Sequence, residues 1–343
     1  MHTPRIAVLG AGANGASIGA DLTATGQDVV LIEQWPAHVE AMRMSGLTIE
    51  SPEGELHVQP RALHLCEVAT LKQPFDVVLL VMKAYDSSWA AQLIAPHLAA
   101  DGIIVALQNG MTTQSVADVV GAERTMGSVI EVSSTMTDPG RVTRHTGVPQ
   151  SWFAVGAPEN GPRDRVDDIA ALLRHSGTVA EVDDIVPTKW MKLISNSSLL
   201  VTAALLGLPM LDALHTEGMR DVMLRAGQEA LDVGRALGHP VLPIFGLTAD
   251  EIADESRVVE IMLDTLFAGF VKPGATTTVL QDWRKSRRSE AGDLNGHVAT
   301  EGARLGIPTP MNDTVTDLAR RVERGELEPA ANNLALLTAA LTG

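Results

Sequence analysis

Three glycines near the start of the chain have the spacing of a phosphate-binding loop. The segment Gly10-Ala11-Gly12-Ala13-Asn14-Gly15 follows an apolar run, residues 5–9, and precedes residues 16–22, whose apolar side chains have helical spacing. Between a strand and a helix, the first glycine of this motif permits a tight turn, the second lets the backbone approach a pyrophosphate, and the third lets the helix pack on the strand. The N–H groups at the start of the helix then bind the phosphates. We therefore predict a dinucleotide-binding loop, the alternative being a Gly-rich turn without a ligand. Its cofactor-binding residues are Gly10, Gly12, Ala13, Asn14 and Gly15.

An acidic residue closes the next predicted strand. Glu33 follows residues 28–32 and lies roughly 20 residues beyond the glycines, where a carboxylate usually binds the ribose hydroxyls of the cofactor. A carboxylate there repels the 2′-phosphate of NADPH, and no Arg or Lys follows until Arg43. Glu33 therefore favours NADH over NADPH. The alternative is a glutamate that only ends the strand and faces water.

Two polar residues follow the next two buried-type strands. Lys83 comes after residues 75–81, and Asn109 comes after residues 103–107. In doubly wound sheets, ligands bind outside the carboxyl ends of the strands. Both residues are therefore expected near the cofactor, although a solvated lysine and a turn-forming Asn-Gly pair are equally good interpretations.

A lysine and an asparagine share one face of a predicted helix in the second half of the chain. Lys192 and Asn196 are four residues apart, so their side chains point to the same side. If that side faces a cleft, the ammonium can stabilise the negative charge that develops on a carbonyl oxygen during hydride addition, and can donate the proton. The alternative is a pair of residues that faces water.

A second polar stretch lies further along the chain. Residues 276–278 are three threonines, whose hydroxyls can bind a carboxylate. A dense basic cluster follows, formed by Arg284, Lys285, Arg287 and Arg288. Such a cluster is typically a solvated or subunit-contact face, and it can also attract an anionic substrate.

The elements that must position these residues form two domains. Strands alternate with helices over residues 1–184, which predicts a Rossmann-type, doubly wound parallel sheet; residues 46–58 read as an inserted hairpin. Residues 185–343 show helical patterns, with helices expected at 188–206, 217–237, 249–267, 289–305 and 314–324. The fold class is thus α/β, with an all-helical C-terminal domain, and we expect the active site in the cleft between the domains.

The composition of the chain excludes some classes of binding partner. Hydrophobic residues make up 45 % of the 343-residue chain, and the formal net charge is −16, which argues against nucleic acid and anionic membranes. The chain has one cysteine, Cys66, and no visible secretory signal or membrane span, so we expect a cytoplasmic protein. The ten histidines are scattered, so no metal site is expected.

Taken together, the motifs resemble those of the ketopantoate reductase (2-dehydropantoate 2-reductase) family. The resemblance extends from the glycine loop to Pro308. It rests on that loop and on the segments Val81-Met82-Lys83-Ala84, Leu107-Gln108-Asn109-Gly110, Lys189-Trp190-Met191-Lys192-Leu193 with Asn196, and Val279-Leu280-Gln281-Asp282 with Glu290 and Asn295-Gly296.

The resemblance implies a role for each matching residue. Lys192 matches the catalytic lysine, Asn196 the amide that holds the substrate hydroxyl, and Glu290 the glutamate that contacts the lysine. Thr278 stands where the family commonly has a serine near the substrate carboxylate. Lys83 and Asn109 match polar residues on the cofactor-domain side of the cleft. The family also implies a homodimer and NADPH as the usual cofactor.

Two positions depart from the family pattern. The family often has a second asparagine two turns beyond the lysine, where this chain has Leu200. It also often has a basic residue after the second strand, where this chain has Glu33-Gln34. Both changes favour a paralogue with another substrate over the enzyme of pantothenate biosynthesis.

We therefore predict an oxidoreductase that transfers a hydride from NAD(P)H to a small 2-keto acid. One alternative is an NAD-dependent dehydrogenase of another 2-hydroxy acid. The other is a non-catalytic dinucleotide sensor, which would not need Lys192, Asn196 and Glu290 together.

Overall fold

A computed structural model describes residues 3–341 of the chain. The chain forms two compact units, and the boundary lies between Val186 and Pro187. We refer to them as the first and the second unit.

The first unit is built on a mixed, mainly parallel sheet. Its strands, in chain order, are β1 (Arg5–Leu9), β2 (Asp28–Glu33), β3 (Leu47–Ser51), β4 (Gly54–Val58), β5 (Arg61–His64), β6 (Phe75–Leu80), β7 (Leu98–Ala106), β8 (Thr125–Glu131), β9 (Ser134–Thr135), β10 (Arg141–Arg144), β11 (Trp152–Gly156) and β12 (Thr178–Glu181). Eight of them form the main sheet, in the order β12-β11-β8-β7-β6-β1-β2-β5. All neighbours are parallel except β8 and β11, which are antiparallel. This confirms the predicted fold class.

Both faces of the main sheet are buried, because side chains alternate between them along each strand. Ile6 and Val8 of β1 belong to one apolar core, and Ala7 and Leu9 belong to the other. The helices of this unit are α1 (Ala13–Ala24), α2 (Pro36–Ser45), α3 (Ser87–Ile94), α4 (Thr113–Val120) and α5 (Val166–Leu173). Residues of α1 and α5 enter the first core, and residues of α3 and α4 enter the second. This two-sided burial explains why the strands read as continuous apolar runs.

A smaller sheet has the strand order β4-β3-β10-β9. Strands β3 and β4 form the predicted hairpin, with Leu47 opposite Val58. A buried arginine, Arg144, ties β10 to the rest of the unit. Its guanidinium donates to Asp21 of α1 (2.6 Å), to the Ser151 hydroxyl (2.9 Å) and to the Ser176 carbonyl.

The second unit is helical in its described part. Its helices are α6 (Ile185–Leu205, which begins just before the boundary), α7 (Met210–Leu214), α8 (Met219–Ala236), α9 (Val258–Gly269), α10 (Thr278–Arg284), α11 (Asn295–Leu305), α12 (Pro310–Glu323) and α13 (Leu334–Ala339). None of the helices within residues 3–341 combines the length and the apolar character that a membrane-spanning helix needs.

Buried polar groups join four of these helices. The Asn295 amide of α11 donates to the Ser197 carbonyl of α6 and to the Asn312 side chain of α12, both at 2.9 Å. The Glu229 carboxylate of α8 accepts the backbone N–H groups of Met311 and Asn312, both at 3.0 Å. A carboxylate at this position accepts hydrogen bonds from the first turn of α12. Its negative charge also interacts favourably with the positive end of the helix dipole.

Candidate functional site

The glycine loop lies between β1 and α1, as its motif predicts. Gly10 has φ +96°, and a Cβ atom there would lie 2.8 Å from the Val81 carbonyl oxygen. A Cβ atom on Gly15 would lie 2.0 Å from the Gly10 carbonyl oxygen. The turn and the close contact of helix and strand therefore both require glycine.

The second glycine of the loop, Gly12, faces open space, and this is where a ligand fits. Gly12 has extended backbone and no side chain caps the start of α1 there. A Cβ atom on Gly12 would meet nothing within 4 Å. The side-chain oxygen of Asn14 is buried without a hydrogen-bond partner among the residues that the structure describes. An uncapped helix start with open space in front of it fits the pyrophosphate of a dinucleotide.

Glu33 ends β2 beside this loop, where the Gly10 N–H donates to the Ile32 carbonyl at 2.9 Å. Its side chain is 8 % exposed. One carboxylate oxygen accepts the backbone N–H groups of Gln34 (2.9 Å) and Trp35 (3.0 Å). The carboxylate is thus fixed at the carboxyl end of β2. It does not have the solvated position that the alternative interpretation requires.

Lys83 and Asn109 lie at the same edge of the sheet as the glycine loop. Strands β6 and β7 are parallel neighbours with Leu80 opposite Ala106, and each of the two polar residues lies three positions beyond its strand end. Both side chains are half-buried. The loop, Glu33, Lys83 and Asn109 therefore share one edge of the first unit.

In the second unit, α6 carries Lys192 and Asn196 one turn apart. Their side chains are 8 % and 3 % exposed. The Lys192 ammonium lies 4.9 Å from the ring centroid of Phe245, a cation–π distance. Phe245 has φ +61°, a backbone conformation that is rare for an aromatic residue, so the packing around its ring must hold it there.

Glu290 is buried and acts electrostatically on Lys189, which lies one turn before Lys192. Burial lowers the pKa of Lys189 from 10.5 to about 7, and the Glu290 carboxylate partly opposes this effect. The family resemblance implies a contact of Glu290 with Lys192, which stays a prediction. Lys189 belongs to one of the motifs that support the family resemblance. The sequence does not show that it is buried; the structure does.

Two further predicted positions, Thr278 and Leu200, differ in their exposure to solvent. Thr278 begins α10 and is exposed, whereas its neighbour Thr277 is buried and its hydroxyl accepts the Leu280 N–H at 3.1 Å. Leu200 is half-buried on α6, one turn beyond Asn196. The role of Thr278 at the substrate carboxylate stays a prediction.

The basic cluster begins at Arg284, the last residue of α10, and ends just before Ser289. All four of its side chains are exposed, and Arg284 donates to the Gly207 carbonyl at 3.2 Å. Within residues 3–341, no group of three or more His, Cys, Asp or Glu side chains is arranged to hold a metal ion.

Three buried residues, Lys189, Phe245 and His38, have no predicted role in the sequence motifs. Phe245 lies in a segment broken by glycine and proline, which carries no periodic signal. His38 is a single histidine on α2, and its buried contacts with distant backbone atoms become visible only in the fold.

Comparison with known proteins identifies the family. The model of the N-terminal domain of ketopantoate reductases (PanE/ApbA) matches residues 6–160, and the model of their C-terminal domain matches residues 184–323. The chain belongs to the ketopantoate reductase family. It is therefore a 2-dehydropantoate 2-reductase-like, NAD(P)-dependent oxidoreductase, as the glycine loop and the quoted motifs predict.

Individual relatives match over nearly their whole length. A 2-dehydropantoate 2-reductase of Caulobacter vibrioides is 29 % identical over 330 residues, which cover 91 % of this chain and 97 % of that protein. A relative of the same name from Archaeoglobus fulgidus is 24 % identical and covers 95 % of this chain and 100 % of its own length.

Solved structures agree with this assignment. A PanE/ApbA family ketopantoate reductase from Ralstonia eutropha JMP134 is 27 % identical, with a TM-score of 0.76 over 94 % of this chain and 99 % of that one. A D-mandelate dehydrogenase in complex with NADH and anilino(oxo)acetate has a TM-score of 0.82 over the same shares of the two chains. Its sequence is 21 % identical, so this likeness concerns the fold alone.

Proposed function

We propose that the chain reduces a small 2-keto acid to the 2-hydroxy acid, with Lys192 as the general acid. The observation that carries the proposal is the burial of Lys192 and Asn196 one turn apart on α6. A lysine is rarely buried, and a buried ammonium beside an amide on one helix face is a typical feature of a functional site. The family assignment supports the same reaction class.

Lys192 supplies the proton. A reduced nicotinamide dinucleotide held at the glycine loop would supply the hydride for the carbonyl carbon. As the electron pair of the carbonyl π bond moves to oxygen, the ammonium stabilises the growing negative charge and transfers a proton to that oxygen. The neutral amine then regains a proton from water. The ring of Phe245, 4.9 Å from the ammonium, attracts it and limits its position.

The other polar residues bind and orient the substrate. The amide of Asn196 donates to the oxygen that becomes the hydroxyl. The amide of Asn109 and the hydroxyl of Thr278 are further proposed hydrogen-bond donors to the substrate. Glu290 stabilises the charged form of Lys189.

The substrate side chain is more apolar than that of ketopantoate, or differently shaped. Leu200 replaces an amide two turns beyond Lys192 and is half-buried on α6. An apolar side chain leaves a substrate hydroxyl without a partner, which costs about 1 kcal/mol or more when the hydroxyl is buried. Leu200 thus favours a paralogous 2-hydroxy acid dehydrogenase activity as the second candidate.

NADH is the proposed cofactor. The buried carboxylate of Glu33 is fixed by two backbone N–H groups at the carboxyl end of β2. The first basic side chain after it, Arg43, donates to Glu40 (3.2 Å) and to the Ala62 carbonyl (3.0 Å). A 2′-phosphate would therefore meet a fixed negative charge, with the nearest following cation already engaged.

The general acid is tested with a matched pair of variants. Lys192→Met removes the buried ammonium, and Lys272→Met removes an exposed one. We expect Lys192→Met to lower kcat by roughly two orders of magnitude or more, while the NADH Kd from fluorescence titration stays unchanged. Lys272→Met should leave both quantities unchanged. Wild-type kcat in Lys192→Met would refute the assignment.

Substrate and cofactor are tested in one panel. Ketopantoate and 2-keto acids with branched, aromatic and short side chains are each assayed with NADH and with NADPH. We expect higher kcat/KM for an apolar keto acid than for ketopantoate, and higher values with NADH. A preference for ketopantoate with NADPH would contradict the arguments from Leu200 and Glu33, and absence of turnover with every acid would favour a sensor.

A further inference from the structure

A buried histidine connects the glycine loop to the smaller sheet. His38 lies on the first turn of α2 and its side chain is fully buried. Its Nδ1 atom lies 2.9 Å from the backbone nitrogen of Gly140, and its Nε2 atom lies 3.1 Å from the carbonyl oxygen of Ala11. One imidazole ring thus joins two backbone positions that are 129 residues apart in the numbering, Ala11 and Gly140.

The two contacts define the protonation state of the ring. A backbone N–H only donates, so Nδ1 must be an unprotonated acceptor for Gly140. A carbonyl oxygen only accepts, so Nε2 must carry the hydrogen that Ala11 receives. His38 is therefore neutral, with its hydrogen on Nε2. Burial also lowers the pKa of His38, and the hydrogen bond to Ala11 opposes this only in part.

The contact with Ala11 orients the centre of the loop. Ala11 lies between Gly10 and Gly12, and its carbonyl belongs to the same peptide plane as the Gly12 N–H. The peptide bond is trans, like every other one among residues 3–341, so the carbonyl and the N–H point in opposite directions. When His38 holds the Ala11 carbonyl, the Gly12 N–H is directed away from the imidazole.

The other contact anchors the histidine itself. Gly140 lies in the turn between β9 and β10, and its carbonyl accepts the Thr48 N–H of β3 at 2.9 Å. A Cβ atom on Gly140 would lie 3.0 Å from the Cβ of Ala41 on α2, so turn and helix are in close contact. The smaller sheet thus supports the imidazole from the side opposite to the loop.

We propose that His38 is a positioning residue of the dinucleotide loop, which orients the Ala11–Gly12 peptide for the pyrophosphate of NAD(P)H. The smaller sheet, which a dinucleotide fold does not otherwise require, supports that peptide through His38. The inference concerns dinucleotide binding by the first unit and does not depend on which keto acid is reduced.

Two isosteric substitutions separate the two contacts. In His38→Gln, the amide nitrogen takes the place of Nε2 and can still donate to Ala11, while the contact with Gly140 is lost. In His38→Asn, the amide oxygen takes the place of Nδ1 and can still accept from Gly140, while the contact with Ala11 is lost. Each variant loses one buried hydrogen bond, so a purely structural role predicts similar losses of stability and of affinity in both.

The readouts are the Kd values of NADH and NADPH from fluorescence titration of the full chain, and its urea unfolding without nucleotide. For His38→Asn we expect Kd to rise by about tenfold, because Ala11 is left unsatisfied and the peptide is free to rotate. For His38→Gln we expect Kd within about threefold of the wild type. Equal Kd values in the two variants, or an unchanged Kd in His38→Asn, would overturn the proposal.

A second measurement needs no variant. Long-range ¹H–¹⁵N spectra of the wild-type chain report which imidazole nitrogen carries the hydrogen, and saturation with NADH reports whether loop and ring respond together. We expect the Nε2–H tautomer at neutral pH and a shift of the His38 signals on NADH binding. A hydrogen on Nδ1, or His38 signals that do not respond to NADH, would overturn the proposal even if both variants failed to fold.

Discussion

The buried ammonium of Lys189 predicts a pH-dependent stability that a single substitution abolishes. Burial lowers its pKa from 10.5 to about 7 in the folded chain, despite the attraction of Glu290. Between these two values the unfolded chain binds a proton that the folded chain does not. Below pH 7, the free energy of unfolding is therefore lowered by the whole cost of burying the Lys189 ammonium. This cost falls to zero as the pH rises toward 10.5.

The size of the effect follows from the shift. One pKa unit corresponds to about 1.4 kcal/mol, so the whole shift is worth roughly 5 kcal/mol. Between pH 7 and pH 9, the free energy of unfolding should rise by about 2 kcal/mol from this group. In Lys189→Met an apolar side chain of similar length replaces the ammonium, and this contribution should vanish.

The assay is urea unfolding of wild type and variant, followed by circular dichroism at several pH values between 7 and 9. The informative quantity is the difference between the two free energies of unfolding, because other titrating groups contribute to both proteins. Lys272→Met, which removes an exposed ammonium, controls for the change in net charge. Parallel curves for wild type and Lys189→Met would refute the prediction that burial of Lys189 costs free energy.

Three further predictions concern other parts of the chain. Glu229→Gln should lower the free energy of unfolding by about 3 kcal/mol, because the carboxylate accepts the N–H groups that begin α12, while the NADH Kd stays unchanged. Arg144→Met should lower the free energy of unfolding by at least about 3 kcal/mol, because it leaves the buried carboxylate of Asp21 without its ion-pair partner. Calorimetry of the variant and the wild type measures this loss. Leu200→Asn should shift the kcat/KM ratio toward ketopantoate, relative to an apolar keto acid, by about tenfold. An unchanged ratio would mean that Leu200 does not contact the substrate.

Local patterns predicted the elements of the first unit that carry the proposed site residues. The glycine loop, the ends of β2, β6 and β7, and the β3–β4 hairpin all follow from apolar runs bounded by glycine, proline and polar residues. Such signals involve residues that are close in sequence. The neutral bridge at His38 joins backbone atoms far apart in sequence, so the order of the residues does not reveal it.

Helix starts in the second unit were predicted less well. We predicted a helix from residue 249, but α9 begins at Val258, after a turn in which the Asp254 carboxylate accepts the Ser256 N–H at 3.1 Å. We also predicted a helix from residue 289, but α11 begins at Asn295. Glu290 lies in the preceding turn, where its carbonyl accepts the N–H groups of Asp293 and Leu294. Apolar periodicity extends through both turns, so side-chain and backbone capping decide the boundary.

The burial of α6 explains why Lys192 and Asn196 differ from the other polar residues of the same helix. Ser197 and Ser198 are also buried, but their hydroxyls donate to the Ile194 carbonyl at 3.0 and 2.9 Å. A hydroxyl can satisfy itself on its own helix in this way, so a buried serine needs no ligand. An ammonium has three donors, and a side-chain amide has two donors and an acceptor, which the carbonyls of the preceding turn do not satisfy together. The helix's own carbonyls therefore account for the buried hydroxyls of Ser197 and Ser198, but they cannot satisfy all the donors of the lysines and the asparagine.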